Sequence, residues 1–105
     1  MAMHSINPQE LKTLMGKYLV QVVDVRKDHE VAQGIIEGAI HVPMALVNEW
    51  LDSQDRKSHW VFYCHIGVRS GQAGLFAEGL GFENVYNLAG GVVAWHQSDY
   101  KLIKL

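Results

Sequence analysis

The run Trp60-Val61-Phe62-Tyr63 has no polar face, and Ser70-Gly71-Gln72-Ala73-Gly74-Leu75-Phe76-Ala77 just beyond it reads as a helix. A strand with no wet side must be covered above and below, the condition of a parallel sheet whose crossovers run through helices. The rest of the sequence alternates in the same way. Asn7-Pro8-Gln9-Glu10 supplies an N-cap, a proline for the first turn and a capping-box glutamate, and Leu11, Leu14 and Met15 mark the apolar face of a helix over about residues 8–15. Leu19 to Val25, dense in β-branched residues, reads as a buried strand with Asp24 and Arg26 at its end. A short helix through Asp28 to Ala32 follows, then a short strand from Ile40 to Val42 stopped by Pro43. Met44 to Leu51 carries Leu46, Val47, Trp50 and Leu51 at helical spacing. Trp60 to Tyr63 is expected at the centre of the sheet, and Val85 to Asn87 forms another strand after the helix that Gly79 and Gly81 close. The expected fold class is α/β, a central parallel sheet with helices on both faces.

With 105 residues, about half of them apolar, the chain has room for one domain and one core, spanning residues 1–105. A net charge of −2 gives no global basic field of the kind that draws a protein to nucleic acid or anionic lipid, so neither partner is expected. Trp50, Trp60 and Trp95 read as core or groove-edge aromatics, because no basic patch accompanies them as in a base-stacking platform. Met1-Ala2-Met3-His4-Ser5-Ile6 lacks the order of a secretory signal, and no apolar run approaches the ~20 residues of a membrane span. A cytoplasmic monomer is the expectation. His4, His29, His41, His59, His65 and His96 show no paired ligand spacing, and a single thiol does not make a metal centre, so neither a metal nor a cofactor is expected. No nucleotide-binding glycine loop, internal repeat or low-complexity stretch is present.

Cys64, the only cysteine, cannot form an internal disulfide, which fits a reducing compartment and marks it as a reagent. It stands where the strand ends and Cys64-His65-Ile66-Gly67-Val68-Arg69 leads into the helix, beyond the carboxyl end of the strand, where open α/β sheets place their functional crevice. A helix start offers unpaired N–H groups and a positive dipole end, which favour a thiolate and cradle an anion attached to it. Arg69 adds a permanent charge and a planar fork of donors. A lone cysteine ending an apolar strand is by itself an ordinary core residue. The glycine, the arginine and the helix start turn it into a site for a nucleophilic sulfur.

Three segments resemble the single-domain rhodaneses, a sulfurtransferase module, and the similarity runs from about Asn7 to Tyr100. The first is Asp24-Val25-Arg26 with Gly34-Ile35-Ile36-Glu37-Gly38-Ala39-Ile40-His41-Val42-Pro43, similar to the family's Asp-x-Arg and Gly-His-Ile-Pro-Gly-Ala stretch, with Ile35 and Glu37 at the usual histidine and proline positions. The second is the Cys64 to Arg69 loop with Ser70 and Gly71. The third is Leu88-Ala89-Gly90-Gly91-Val92-Val93-Ala94-Trp95, similar to the family's Gly-Gly and downstream tryptophan.

The resemblance implies a three-layer rhodanese-like fold and sulfur transfer in two steps. Cys64 takes a sulfur from a donor such as thiosulfate or a persulfide, and an acceptor such as cyanide or a thiol removes it. The N–H groups of Ile66 to Ser70 would bind the persulfide charge, and Gly67 leaves the loop free to curl. Arg69 would stabilise the loop and the anion, and Ser70 would cap the following helix and lie near the ligand. His65, Ile66 and Val68 would line the rim. Asp24 would anchor backbone N–H groups near the loop, with Arg26 as its companion in an architectural pair.

Several readings stay open. His65 either is protonated near neutral pH and attracts a dianionic donor, or points to solvent, the reading preferred here. Gly90-Gly91 is either a plain turn or a closure of the crevice. The tail from Tyr100 to Leu105 packs along the domain's edge or frays. Apolar Ile66 and Val68 raise a protein as donor or acceptor. Two competing functions remain: a binding or regulatory rhodanese module, which commonly lacks the cysteine, and a cysteine-dependent phosphatase or arsenate reductase. Four residues separate Cys64 from Arg69, where phosphatases have five, and Tyr63 stands where many phosphatases place histidine.

Overall fold

Alternation along the central strand sets the whole architecture. In the computed structural model, which describes residues 3–105, β4 (His59–Tyr63) sends Trp60 and Phe62 to one face and Val61 and Tyr63 to the other. Both sets are buried, so each face needs its own cover. On the first face α3 (Met44–Leu51) brings Val47 and Leu51, and α4 (Val68–Gly79) brings Ala73 and Ala77. On the second, Leu11 of α1 (Pro8–Lys17), Val31 of α2 (Asp28–Val31), and Val92 and Trp95 of α5 (Gly91–Gln97) do the same. Trp60 and Trp95 are core residues, and Trp50 meets Trp60 edge-on at 5.5 Å between ring centroids.

The sheet is five-stranded and wholly parallel in the order β1-β5-β4-β2-β3, with β1 at His4–Ile6, β2 at Val20–Asp24, β3 at Ile40–His41 and β5 at Asn84–Leu88. Asp24 lies beside Tyr63 and Asn87 beside Phe62, so the strands end together at one rim, where the chain turns into the cysteine loop. The capping box at Asn7 forms as its residue types require. Its Oδ1 accepts the Glu10 N–H at 2.7 Å, and Glu10 accepts the Asn7 N–H at 2.9 Å.

Several bounds differ from the sequence expectation by a residue or two, α1 among them, which runs through Gly16 to Lys17 instead of stopping at about residue 15, and three differences bear on the site or the sheet. Leu19 is 85% exposed and the strand begins only at Val20, because Leu19 finishes the turn out of α1 and has no neighbour to cover it. β1 was not expected, since three residues between a terminus and a capping box carry no period of their own. It forms because the edge of β5 at Tyr86–Leu88 offers a partner to His4–Ile6. α4 opens at Val68, not Ser70, so Val68 and Arg69 belong to its first turn. The tail does pack. Ile103 pairs with Ile35 through two backbone hydrogen bonds of 2.8 Å, and the Trp95 indole N–H donates to the Lys101 carbonyl.

The Gly90-Gly91 pair closes the rim. Both residues are left-handed, at φ 76° and 53°, and the N–H groups of Val92 and Val93 donate to the carbonyls of Cys64 and His65 at 3.0 and 3.3 Å. A side chain on Gly91 would overlap those same two carbonyl oxygens. Gly91→Ala should therefore lower stability by about 2 kcal/mol or more through strain and collision together. Urea unfolding checks this, and an unchanged midpoint would mean that the α5 junction yields without cost.

Candidate active site

Cys64 is buried, and three donors of its own loop converge on its sulfur. The Gly67 N–H reaches Sγ at 3.1 Å, the Ser70 N–H at 3.5 Å, and Ser70 Oγ lies 3.2 Å away. The loop can curl this tightly because Gly67 adopts φ 108°, a conformation unfavourable for any residue with a Cβ. Burial pushes the Cys64 thiol up, but the hydrogen bonds from the Ser70 hydroxyl and from the N–H groups of Ser70, Gly67 and Arg69 outweigh it and leave the thiol below its ordinary value. A thiolate is thus favoured over that of an ordinary cysteine, and its stabilisation comes from the Ser70 hydroxyl and the oriented amides rather than a neighbouring cation.

Ser70 does not cap α4. The N-cap position is Gly67, with no side-chain cap, and Ser70 is the third helical residue, fully buried. Its hydroxyl faces the sulfur and Asn87 Oδ1, 2.6 Å away. Arg69 sits at the loop's far end, but its fork turns to Glu30 of α2 in a two-pronged ion pair of 2.7 and 2.8 Å. Arg69 holds the Glu30 carboxyl down at about 2, against the opposing effect of burial, so the pair is ionised throughout the neutral range. The two donors that would grip an external oxyanion are therefore occupied.

Asp24 and Arg26 form a second, buried pair. Asp24 accepts the Arg26 backbone N–H at 2.9 Å and the guanidinium at 2.8 to 3.1 Å, and Arg26 also donates to the Gly34 carbonyl at 2.6 Å. Asp24 thus anchors the β2–α2 turn, and the loop amides go to the sulfur instead. The Tyr63 phenol, raised by burial and by Asp24, accepts the Ile36 N–H. In the departure from the family stretch, Ile35 is buried and bonded to Ile103, while Glu37 is exposed.

The rim is apolar and open. Ile66 is 57% and Val68 64% exposed, and His65 is exposed beside them. A groove of about 440 Å³ borders the loop, lined by His29, Glu30, His65, Val92 and Leu102 among others. Among the described residues no group of three His, Cys, Asp or Glu is placed to hold a metal ion. No helix of the described residues is long and apolar enough to cross a membrane.

Sequence reasoning placed Cys64, His65, Ile66, Gly67, Val68, Arg69 and Ser70 in one loop; Cys64 to Gly67 form it, and Val68, Arg69 and Ser70 make up the first turn of α4 that follows. It missed Glu30 and Asn87. Asn87 carried a signal in its type, since asparagine is depleted from strands and here ends an apolar one. Glu30 carried none beyond lying in the first turn of a short helix.

The rhodanese-like domain family matches residues 7–98 of the chain. The YtwF protein of Bacillus subtilis (strain 168) is 38% identical over 74 residues, which are 70% of this chain and 71% of that protein. A sulfurtransferase of Allochromatium vinosum is 38% identical over 84 residues, 80% of this chain and 78% of that one. Among solved structures, the human single-domain sulfurtransferase superimposes with a TM-score of 0.82 at 25% identity, over 91% of this chain and 97% of that one. With a parallel sheet that delivers one cysteine to an amide-lined loop, and with this match across nearly its whole length, the chain belongs to the rhodanese-like domain family of sulfurtransferases.

Proposed function

We propose that the protein transfers sulfane sulfur through a Cys64 persulfide, from thiosulfate or a persulfide donor to a cyanide or thiol acceptor. The convergence of the Gly67 and Ser70 N–H groups on Cys64 Sγ carries this reading. Donors centred on the sulfur itself suit a group that gains and loses one atom, whereas an oxyanion held beyond it needs donors farther out. The thiolate attacks the outer sulfur of thiosulfate; the sulfur–sulfur bond of the donor breaks and sulfite leaves with its electron pair. Cys64 then carries a persulfide whose negative charge lies on the outer atom, above the helix start. Cyanide or a thiolate attacks that atom, the Cys64–sulfur bond breaks, and the Cys64 thiolate returns as the leaving group.

The occupied fork of Arg69 favours sulfur over phosphate. A cysteine phosphatase uses such a fork bidentately on its substrate, and here Glu30 takes both prongs. The same charge balance leaves the mouth less attractive to a dianion and, with Ile66 and Val68 exposed, suits a persulfide on a larger thiol or a protein. A cytoplasmic monomer belongs to this proposal. A purely binding module gives no reason for a thiol poised below its ordinary value.

Intact mass after incubation with thiosulfate should show the gain of one sulfur, removed again by cyanide and absent from Cys64→Ala. A folded protein with a titratable thiol that takes no sulfur from thiosulfate or any persulfide would overturn the reading. Glu30→Gln should free Arg69 and lower the KM for thiosulfate about fivefold, an effect of about 1 kcal/mol, with kcat little changed. Steady-state kinetics at low salt would show it; a KM that does not fall would confine Arg69 to holding the loop. Ser70→Ala removes the foremost of the hydrogen bonds that lower the thiol, so its pH profile of alkylation by iodoacetamide should move to higher pH.

A further inference from the structure

The Ser70 hydroxyl has one proton and two acceptors. Its Oγ lies 3.2 Å from Cys64 Sγ and 2.6 Å from Asn87 Oδ1, and the shorter contact is the stronger hydrogen bond for a hydroxyl. Asn87 is not free to turn its amide. Its Nδ2 donates at 3.0 Å to the carbonyl of Gly67, the left-handed residue of the loop, and a flip would set two oxygens against each other. The side chain reaches the loop from β5, so the sulfur's surroundings depend on a strand outside the loop.

We infer that Asn87 is a positioning residue that controls Cys64 through Ser70, drawing the hydroxyl proton off the sulfur while fixing the Gly67 carbonyl. In the thiol form the S–H donates to Ser70 Oγ and the Ser70 O–H donates to Asn87. When the thiol proton leaves to solvent, the hydroxyl can turn to the thiolate only by giving up Asn87. Once a sulfur is attached, the charge sits on the outer atom and Sγ needs no donor, so the hydroxyl returns to Asn87. Two covalent changes accompany this exchange: the thiol proton leaves to solvent, and on sulfur transfer the Cys64 sulfur–sulfur bond forms as the donor's own bond to that sulfur breaks. Contested in this way, the thiolate is held less firmly than an uncontested hydroxyl would hold it and keeps more of its nucleophilicity.

The functional meaning rests on Cys64 as the sulfur carrier, but the titration that tests it needs no donor. The charged and titratable groups about the sulfur are Arg69 with its partner Glu30, the Asp24–Arg26 pair, Tyr63 and the neighbouring His65, all kept by the substitutions; Asn87→Asp adds one carboxylate, whose direct charge effect survives in the Ser70→Ala background while the part carried by the hydroxyl does not. Ultraviolet absorbance of the thiolate against pH is compared for the full chain, Asn87→Ala, Asn87→Asp, Ser70→Ala and the doubles. Asn87→Ala should lower the midpoint by about one pH unit by releasing the hydroxyl to the thiolate. Asn87→Asp should raise it, and both shifts should shrink or vanish in the Ser70→Ala background. A midpoint that stays or rises in Asn87→Ala, or shifts that survive intact without Ser70, would overturn the inference. Were Asn87→Ala to misfold, the near-isosteric Asn87→Asp decides: a rise undiminished by Ser70→Ala overturns it. The expected shifts in a protein that accepts no sulfur would uphold the hold of Asn87 on Ser70 and overturn the sulfur-carrier reading instead.

Discussion

Backbone amides aimed at a buried sulfur are the constraint that the rest of the structure serves. The Gly67 and Ser70 N–H groups can point inward only while the loop keeps its left-handed turn, and that turn has no strength of its own. Three elements hold it from outside. α5 ties the carbonyls of Cys64 and His65, Asn87 of β5 ties that of Gly67, and Glu30 of α2 ties the side chain of Arg69. Each attachment comes from a different part of the sequence, so the amide cradle is a property of the sheet's assembled rim and not of the loop sequence alone. Amides brought in this way carry fixed dipoles that need no reorganisation when charge arrives, the feature that makes such a site effective at holding an anion.

Charge is handled separately from that cradle. The two arginines that the sequence places near the loop are both matched by carboxylates, Arg26 by Asp24 in the interior and Arg69 by Glu30 toward the surface. The buried pair is fully satisfied, with further bonds to the Gly34 and Glu30 carbonyls, so it costs little despite its burial and fixes the path of the chain after β2. Neutralising both arginines leaves the Ser70 hydroxyl and the oriented N–H groups to favour negative charge at the thiol. The resulting field is short-ranged and directional, suited to a single atom carrying charge at a defined place.

Most of the fold was legible in the sequence because its signals were local. The capping box at Asn7, the apolar strand at Trp60–Tyr63 and the helical spacing of Val47 and Leu51 each act over a few neighbouring residues. β1 was not legible, since His4–Ile6 becomes a strand only when the edge of β5 is present to pair with it. The site divides along the same line. Cys64, Gly67 and Ser70 are contiguous and could be read together, but the direction of the Ser70 hydroxyl and of the Arg69 fork depends on Asn87 and Glu30, which are distant in sequence. Residue type announced a donor in both cases; only the packing of β5 and α2 said where it would point. The tail behaved likewise, its alternating pattern giving no hint that Ile103 would pair with Ile35.

The order of the strands also fixes when the thiol acquires its setting. β1 has its one neighbour in β5, and the carbonyls of Cys64 and His65 find their N–H partners only in α5, close to the far end of the chain. A growing polypeptide that has reached the cysteine loop therefore still lacks Asn87, the glycine pair and the edge on which its first strand must settle. These are long-range closures, which are the slow ones in folding. Until those partners are in place the cysteine lacks the contacts that set it apart, so its chemistry waits on segments that follow it in the sequence.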